Sequence, residues 1–143
     1  MPVPVLVTPL TRRLWKDGEL ERDLDPWAEA VRKVAAEHKV ALVELNARSS
    51  AIVSALGPSV GNLLAEAPPP AEVAAAAAID RETLPSSTGA PTFPKPATPP
   101  RTGSLNRPFD YTHLGTYGAS LFAAVVAEEL VRAVPEARPL ILP

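Results

Sequence analysis

No cysteine occurs among the 143 residues, which removes disulfides, thiolate catalysis and cysteine-ligated zinc at one stroke. The lack says little about compartment, since a secreted protein can also do without cysteine. Histidine is nearly as scarce. His38 and His113 are the two present, neither sits in an acidic cluster, and a metal site has little to be built from. No metal or other cofactor is therefore expected. An excess of charge of either sign is missing too. With 14 basic and 16 acidic residues the net charge is −2 and the isoelectric point near 5.7, so no electrostatic footprint for nucleic acid is present. No apolar run approaches the ~20 residues needed to cross a bilayer, and no membrane partner is expected. The opening MPVPVLVTPLTRR is apolar from its first residues without a basic stretch before them, unlike a secretory signal. The compartment stays open.

What the chain does contain is enough apolar residue, 46%, for a core, in a length that suits one ordinary domain or part of a larger one. Val3 to Val7 is a short, nearly continuous apolar run of the kind expected in a buried parallel strand. Pro9 and Thr11-Arg12-Arg13 end it, and Asp17-Gly18 is a turn dipeptide. Asp25-Pro26 opens a helix, with a capping carboxylate and proline at the first helical position. Trp27, Ala30, Val31, Val34 and Ala35 then form one apolar stripe, which places Trp27 in the core. Val40 to Leu45 is a second strand. Strand, helix and strand make a βαβ unit, with a right-handed crossover expected. Ala47 to Leu56 reads as a further helix stopped by Gly57-Pro58.

The character changes after Pro68. EVAAAAAID is an alanine-rich helix without a strong apolar face. Thr83 to Pro108 is rich in Pro, Ser, Thr and Gly, and such a stretch buries too little to offset its ordering entropy. It reads as an insertion or a flexible, polyproline-like loop. Order returns at Phe109, and from Tyr117 to about Val134 a helix turns Leu121, Phe122, Val125, Val126 and Leu130 toward a core. Glu128, Glu129 and Arg132 mark its wet side. The chain thus divides into 1–66 (βαβ), 67–108 (Ala/Pro-rich insertion) and 109–143 (the closing block and helix of the same domain).

Asp110 and His113 flank the bend that leads into this last helix. A neutral imidazole that serves as a base must offer one nitrogen to a nucleophile while an acceptor holds the other. A carboxylate three residues earlier can hold it without help from distant elements. The same letters also suit helix capping by Asp110 and Thr112, with His113 incidental.

The stretch DYTHLGTYGASLFAAVVAEEL resembles the final conserved block of the SGNH (GDSL-type) hydrolases, in the branch around rhamnogalacturonan acetylesterase. The matching positions are Asp110, Thr112, His113, Leu114, Gly118, Ala119, Phe122, Ala123, Val126, Ala127, Glu129 and Leu130. VLVTPLTRRLW looks like a later strand of the same branch, with its Thr-Pro-x-x-Arg-Arg signature, and WAEAVRKVAAEHKVALVELNARSS like the elements that follow it. Val3 to Gly57 and Phe109 onward are covered; Pro68 to Pro108 is not. The resemblance implies an α/β fold, a partial doubly wound, flavodoxin-like parallel sheet made of the last two strands and flanking helices. It implies Asp110 and His113 as orienting acid and base of a serine esterase acting on acetylated polysaccharide or oligosaccharide.

The nucleophile and oxyanion blocks that the resemblance calls for, Gly-Asp-Ser and Gly-x-Asn-Asp, do not occur in this sequence. The chain alone is expected to be inactive, with the missing N-terminal half as a possible partner. Gly57-Pro58-Ser59-Val60-Gly61 spells a nucleophile elbow, but it follows a helical pattern rather than a strand, and Ser59 is better explained as a cap. Arg12 and Arg13 fall at the carboxyl end of a strand, where ligands bind in open α/β sheets, and are candidate substrate contacts; solvation or salt bridging is the plainer role. Trp15 is expected to pack against the Asp25 helix, and Asn46 and Arg48 to cap and be solvated. Two strands leave apolar surface that must be exposed, self-paired or covered by a partner. A non-catalytic remnant or interaction module is the competing function.

Overall fold

The computed structural model describes residues 3–79, 82–84 and 109–141. Most of the expected loop at Thr83 to Pro108 lies outside these residues. The protein is α/β, with helices around a small parallel sheet of two strands. β1 (Val5–Val7) pairs in parallel with β4 (Ala41–Val43), in the register Val5 to Ala41, Leu6 to Leu42 and Val7 to Val43. Between them lie a hairpin, β2 (Trp15–Lys16) and β3 (Glu19–Leu20), and helix α1 (Asp25–His38). Asp17 and Gly18 at the hairpin tip both have positive φ, 51° and 80°. That pair suits the right-handed twist of two antiparallel strands and explains the Asp-Gly dipeptide.

α1 begins one residue earlier in register than its Asp25-Pro26 start suggests. Leu24 is the capping position, and the Asp25 carboxylate is engaged by Arg22 at 2.9 Å instead. The helix packs against β1 and β4 with its small residues, Ala28 and Ala35, which are buried. The Trp27 stripe is not the core. Trp27 is 67% exposed and Val34 is 44% exposed, and both line an apolar groove with Leu6, Val7 and Pro9. β4 is shorter than the apolar run Val40 to Leu45, because Glu44 leaves the strand to cap α2 (Leu45–Asn62). Its carboxylate accepts from Ala47 N–H at 3.4 Å and bidentately from Arg32 at 2.8 and 2.9 Å. A charge-assisted fork of this kind is stronger than a neutral hydrogen bond.

α2 is two helical pieces joined at Gly57, whose φ of 72° and ψ of 172° belong to a region that side chains avoid. α3 (Ala71–Ile79) follows, then α4 (Thr116–Ala133), which packs against β4 and α2, and a terminal turn, α5 (Arg138–Ile141). α3 does bury a face, Val73, Ala76 and Ala77, spaced one turn apart. On α4, Glu129 is not on the wet side. It is 9% exposed, and its carboxylate takes Arg48 of α2 at 3.1 Å and Arg132 at 2.8 Å.

Two apolar clusters result. The larger joins Trp15, Val53, Leu64, Phe122 and Val125, so Trp15 packs between α2 and α4 rather than on α1. The smaller joins Val73, Phe109 and Tyr111 and seats the start of the closing block. Phe109 and Tyr111 meet edge to face at 5.1 Å, a favourable arrangement of aromatic quadrupoles.

Candidate active site

Asp110 and His113 come together. His113 Nδ1 lies 2.6 Å from Asp110 Oδ2, and the two side chains are 49% and 35% exposed. The bend that joins them is made by Asp110 itself. Its Oδ1 accepts the main-chain N–H groups of Thr112 and His113, both at 2.7 Å. One carboxylate oxygen therefore shapes the loop while the other holds the ring, which is why the spacing of three suffices. Burial pushes the Asp110 carboxyl up. The N–H groups of His113 and Thr112, and then the imidazole, outweigh that and leave it below the ordinary aspartate range.

The loop is anchored on either side. Downstream, Leu114 pairs with Ala65 in an isolated bridge, and Gly115 donates its N–H to Leu64 O at 2.9 Å. The close approach demands glycine: a Cβ on Gly115 would sit 2.6 Å from Ala65 O, and one on Gly118 2.5 Å from Leu64 O. Upstream, Tyr111 donates its hydroxyl to Leu84 O at 3.1 Å, and burial raises its phenol.

Arg12 and Arg13 part company. Arg12 points outward and pairs with Asp23 at 3.1 Å. Arg13 is 1% exposed and is turned inward, onto the loop: its guanidinium donates to Asp110 O at 2.9 Å, His113 O at 3.0 Å and Thr112 O at 3.5 Å. A side chain so placed has no surface to offer a substrate. Asn46 is likewise buried, 1% exposed, and not solvated. Its N–H donates to Thr8 Oγ1 at 2.8 Å. Thr8 Oγ1 in turn donates to Glu44 Oε1 at 2.9 Å, joining the carboxyl ends of the two strands. Ser49 Oγ accepts Thr11 N–H at 3.0 Å. Thr8 entered the sequence reading only as a letter of the Thr-Pro-x-x-Arg-Arg signature, and Ser49 and Tyr111 were not singled out, because hydroxyls are common and only their tertiary partners give them meaning.

Ser59 is exposed on the second piece of α2, just beyond the Gly57 kink and not at a strand-to-helix turn. Among the described residues no three His, Cys, Asp or Glu side chains cluster. No described helix is long and apolar enough to cross a membrane. Comparison with protein-family models, with curated proteins and with solved structures returns no match to this chain.

Proposed function

We propose that this chain carries the base and orienting acid of an SGNH-type serine esterase that removes acetyl groups from carbohydrate, and that the serine and oxyanion donors come from polypeptide outside these 143 residues. The observation that carries the proposal is the 2.6 Å contact between His113 Nδ1 and an ionised Asp110 in a half-exposed loop. Such a contact fixes the ring orientation and stabilises the imidazolium formed during proton transfer. The Thr8-Pro9-x-x-Arg12-Arg13 stretch and the Gly118-containing helix start support the same reading through the resemblance they carry, with Arg13 bonded to the loop and Gly118 seated close against Leu64 O.

In the complete enzyme the serine Oγ attacks the acetyl carbonyl and gives its proton to His113. The tetrahedral intermediate then expels the sugar oxygen, which takes that proton. Water, deprotonated by His113, attacks the acyl-serine, and acetate leaves with the serine restored. No step needs a metal.

Reading the coding sequence upstream of Met1, and of its neighbours, for Gly-Asp-Ser is the first test. The second is release of acetate from acetylated oligosaccharide by the chain co-expressed with the polypeptide so encoded, compared with His113→Ala. Activity that needs both partners and His113 supports the proposal. If no Gly-Asp-Ser is encoded, or the His113→Ala assembly is as active as its parent, the esterase reading fails. Fluorophosphonate labelling of the chain alone, abolished by Ser59→Ala, would instead point to an autonomous hydrolase. The exposed groove around Trp27 favours a second reading, a non-catalytic interaction module, in which His113→Ala changes no partner binding.

A further inference from the structure

We infer that Arg13 is the positioning residue of the Asp110–His113 pair, because it takes up all four main-chain carbonyls of the loop that carries them. The side chain accounts for Asp110 O, Thr112 O and His113 O. The fourth, Tyr111 O, accepts from Arg13's own main-chain N–H at 3.0 Å. Treating the pair as catalytic rests on the esterase reading above; the positioning itself does not.

The arrangement has a specific geometry. Asp110 O and His113 O converge on the single atom Nη2, at 2.9 and 3.0 Å, so the two ends of the Asp-x-x-His stretch are drawn onto one donor. Three carbonyl dipoles turned to the guanidinium make a negative pocket, and the Asp110 carboxylate acts on the same charge. A planar guanidinium with five donors in a fixed fork can satisfy several such groups at once, and it stays charged when buried. Burial opposes the charged form of Arg13 and the Asp110 carboxylate favours it.

Arg13 is in turn held by the sheet. Thr8 N–H reaches Val43 O at 3.1 Å, Thr8 Oγ1 receives Asn46 N–H, and Thr11 N–H reaches Ser49 Oγ. A chain of hydrogen bonds therefore runs from the carboxyl ends of β1 and β4, through 8–13, to the carbonyls of 110–113. The Thr-Pro-x-x-Arg-Arg spelling acquires a division of labour. Thr8 joins the strands, Pro9 ends one, and the second arginine clamps the distant loop.

The test is nuclear magnetic resonance of the histidine ring with ¹⁵N label, assigned by a His38→Gln variant. In the parent chain the Nδ1 proton of His113 is expected at low field and protected from exchange, and the Nδ1-protonated tautomer should dominate. Arg13→Lys retains charge but not the fork, and Arg13→Met retains neither. Both are expected to lose the low-field resonance and mix the tautomers while keeping a cooperative thermal transition. An unchanged His113 spectrum in a folded Arg13→Lys chain would overturn the inference. Should neither variant fold, the parent chain still decides: Arg13 guanidinium protons that exchange at the rate of free arginine exclude the clamp, and slow ones support it. In the reconstituted esterase, Arg13→Lys should lower kcat by about tenfold to a hundredfold with KM little changed, as expected of a misplaced base. Loss of the spectrum without any esterase activity in the parent assembly would retain the clamp and discard the esterase.

Discussion

Asp110 accepts three hydrogen bonds on two oxygens, and that division is what links its charge to the loop. Because its carboxyl lies below the ordinary aspartate range in the folded chain, the unfolded chain binds a proton first as pH falls. The stability it contributes is whole above the ordinary value of about 3.9 and is lost as pH drops through its lowered native value. Asp110→Asn should therefore flatten the acid limb of a plot of melting temperature against pH. Glu44 acts in the same sense, since the Arg32 hydrogen bond above all holds its carboxyl low. In the proposed esterase, Asp110→Asn should cost about 10⁴-fold in kcat, by leaving the imidazole in the wrong tautomer. A loss below tenfold would show that Asp110 shapes the loop without orienting the base. Asp110 and His113 were legible as a pair in sequence because their interaction is local. Arg13 was legible only as a charged residue near a strand end; its partners are about a hundred positions away in sequence, and no spacing reveals them.

Helix α2 shows how one backbone position divides an element. Nothing lies within 4 Å of a Cβ built on Gly57, so space is not the constraint; the backbone region is. Gly57→Ala should destabilise by about 1–3 kcal/mol, the usual cost of holding a side chain in a glycine-only region. A neutral result in denaturant titration would mean that the two halves of α2 can realign. The start of α4 makes the opposite case. Gly115→Ala and Gly118→Ala must each push against a main-chain carbonyl, and a loss of about 1–3 kcal/mol is expected from overpacking. Gly115→Ala should also disturb the His113 resonance, whereas Gly57→Ala should not. The helix at α4 was readable from its periodicity. Its glycines gained their reason only when the 64–66 segment was seen against them.

A two-stranded parallel sheet is too narrow to cover an amphipathic helix, and α1 pays for this with its Trp27 side. The small residues Ala28 and Ala35 take the sheet, while Trp27 and Val34 remain beside the open flank of β1. The two tryptophans make this measurable. Trp15 is 3% exposed and Trp27 is 67% exposed. Iodide should quench the emission of a Trp15→Phe chain strongly and that of a Trp27→Phe chain weakly. Equal quenching in the two variants would show that the groove is covered in solution. The stripe was visible in the sequence, but its burial was not, since periodicity reports that one face is apolar and is silent about what lies against it.

Local chemistry alone set a good deal of this protein: where its helices fall, the Asp-Gly hairpin tip, the kink at Gly57 and the meeting of Asp110 with His113. Each depends on neighbours within a turn of chain, and such interactions are written in spacing. Which apolar face is covered, which arginine is buried, and why Thr8, Ser49 and Gly115 matter were settled by contacts between segments far apart along the chain. Those depend on how elements pack in three dimensions, and no linear pattern contains that distance.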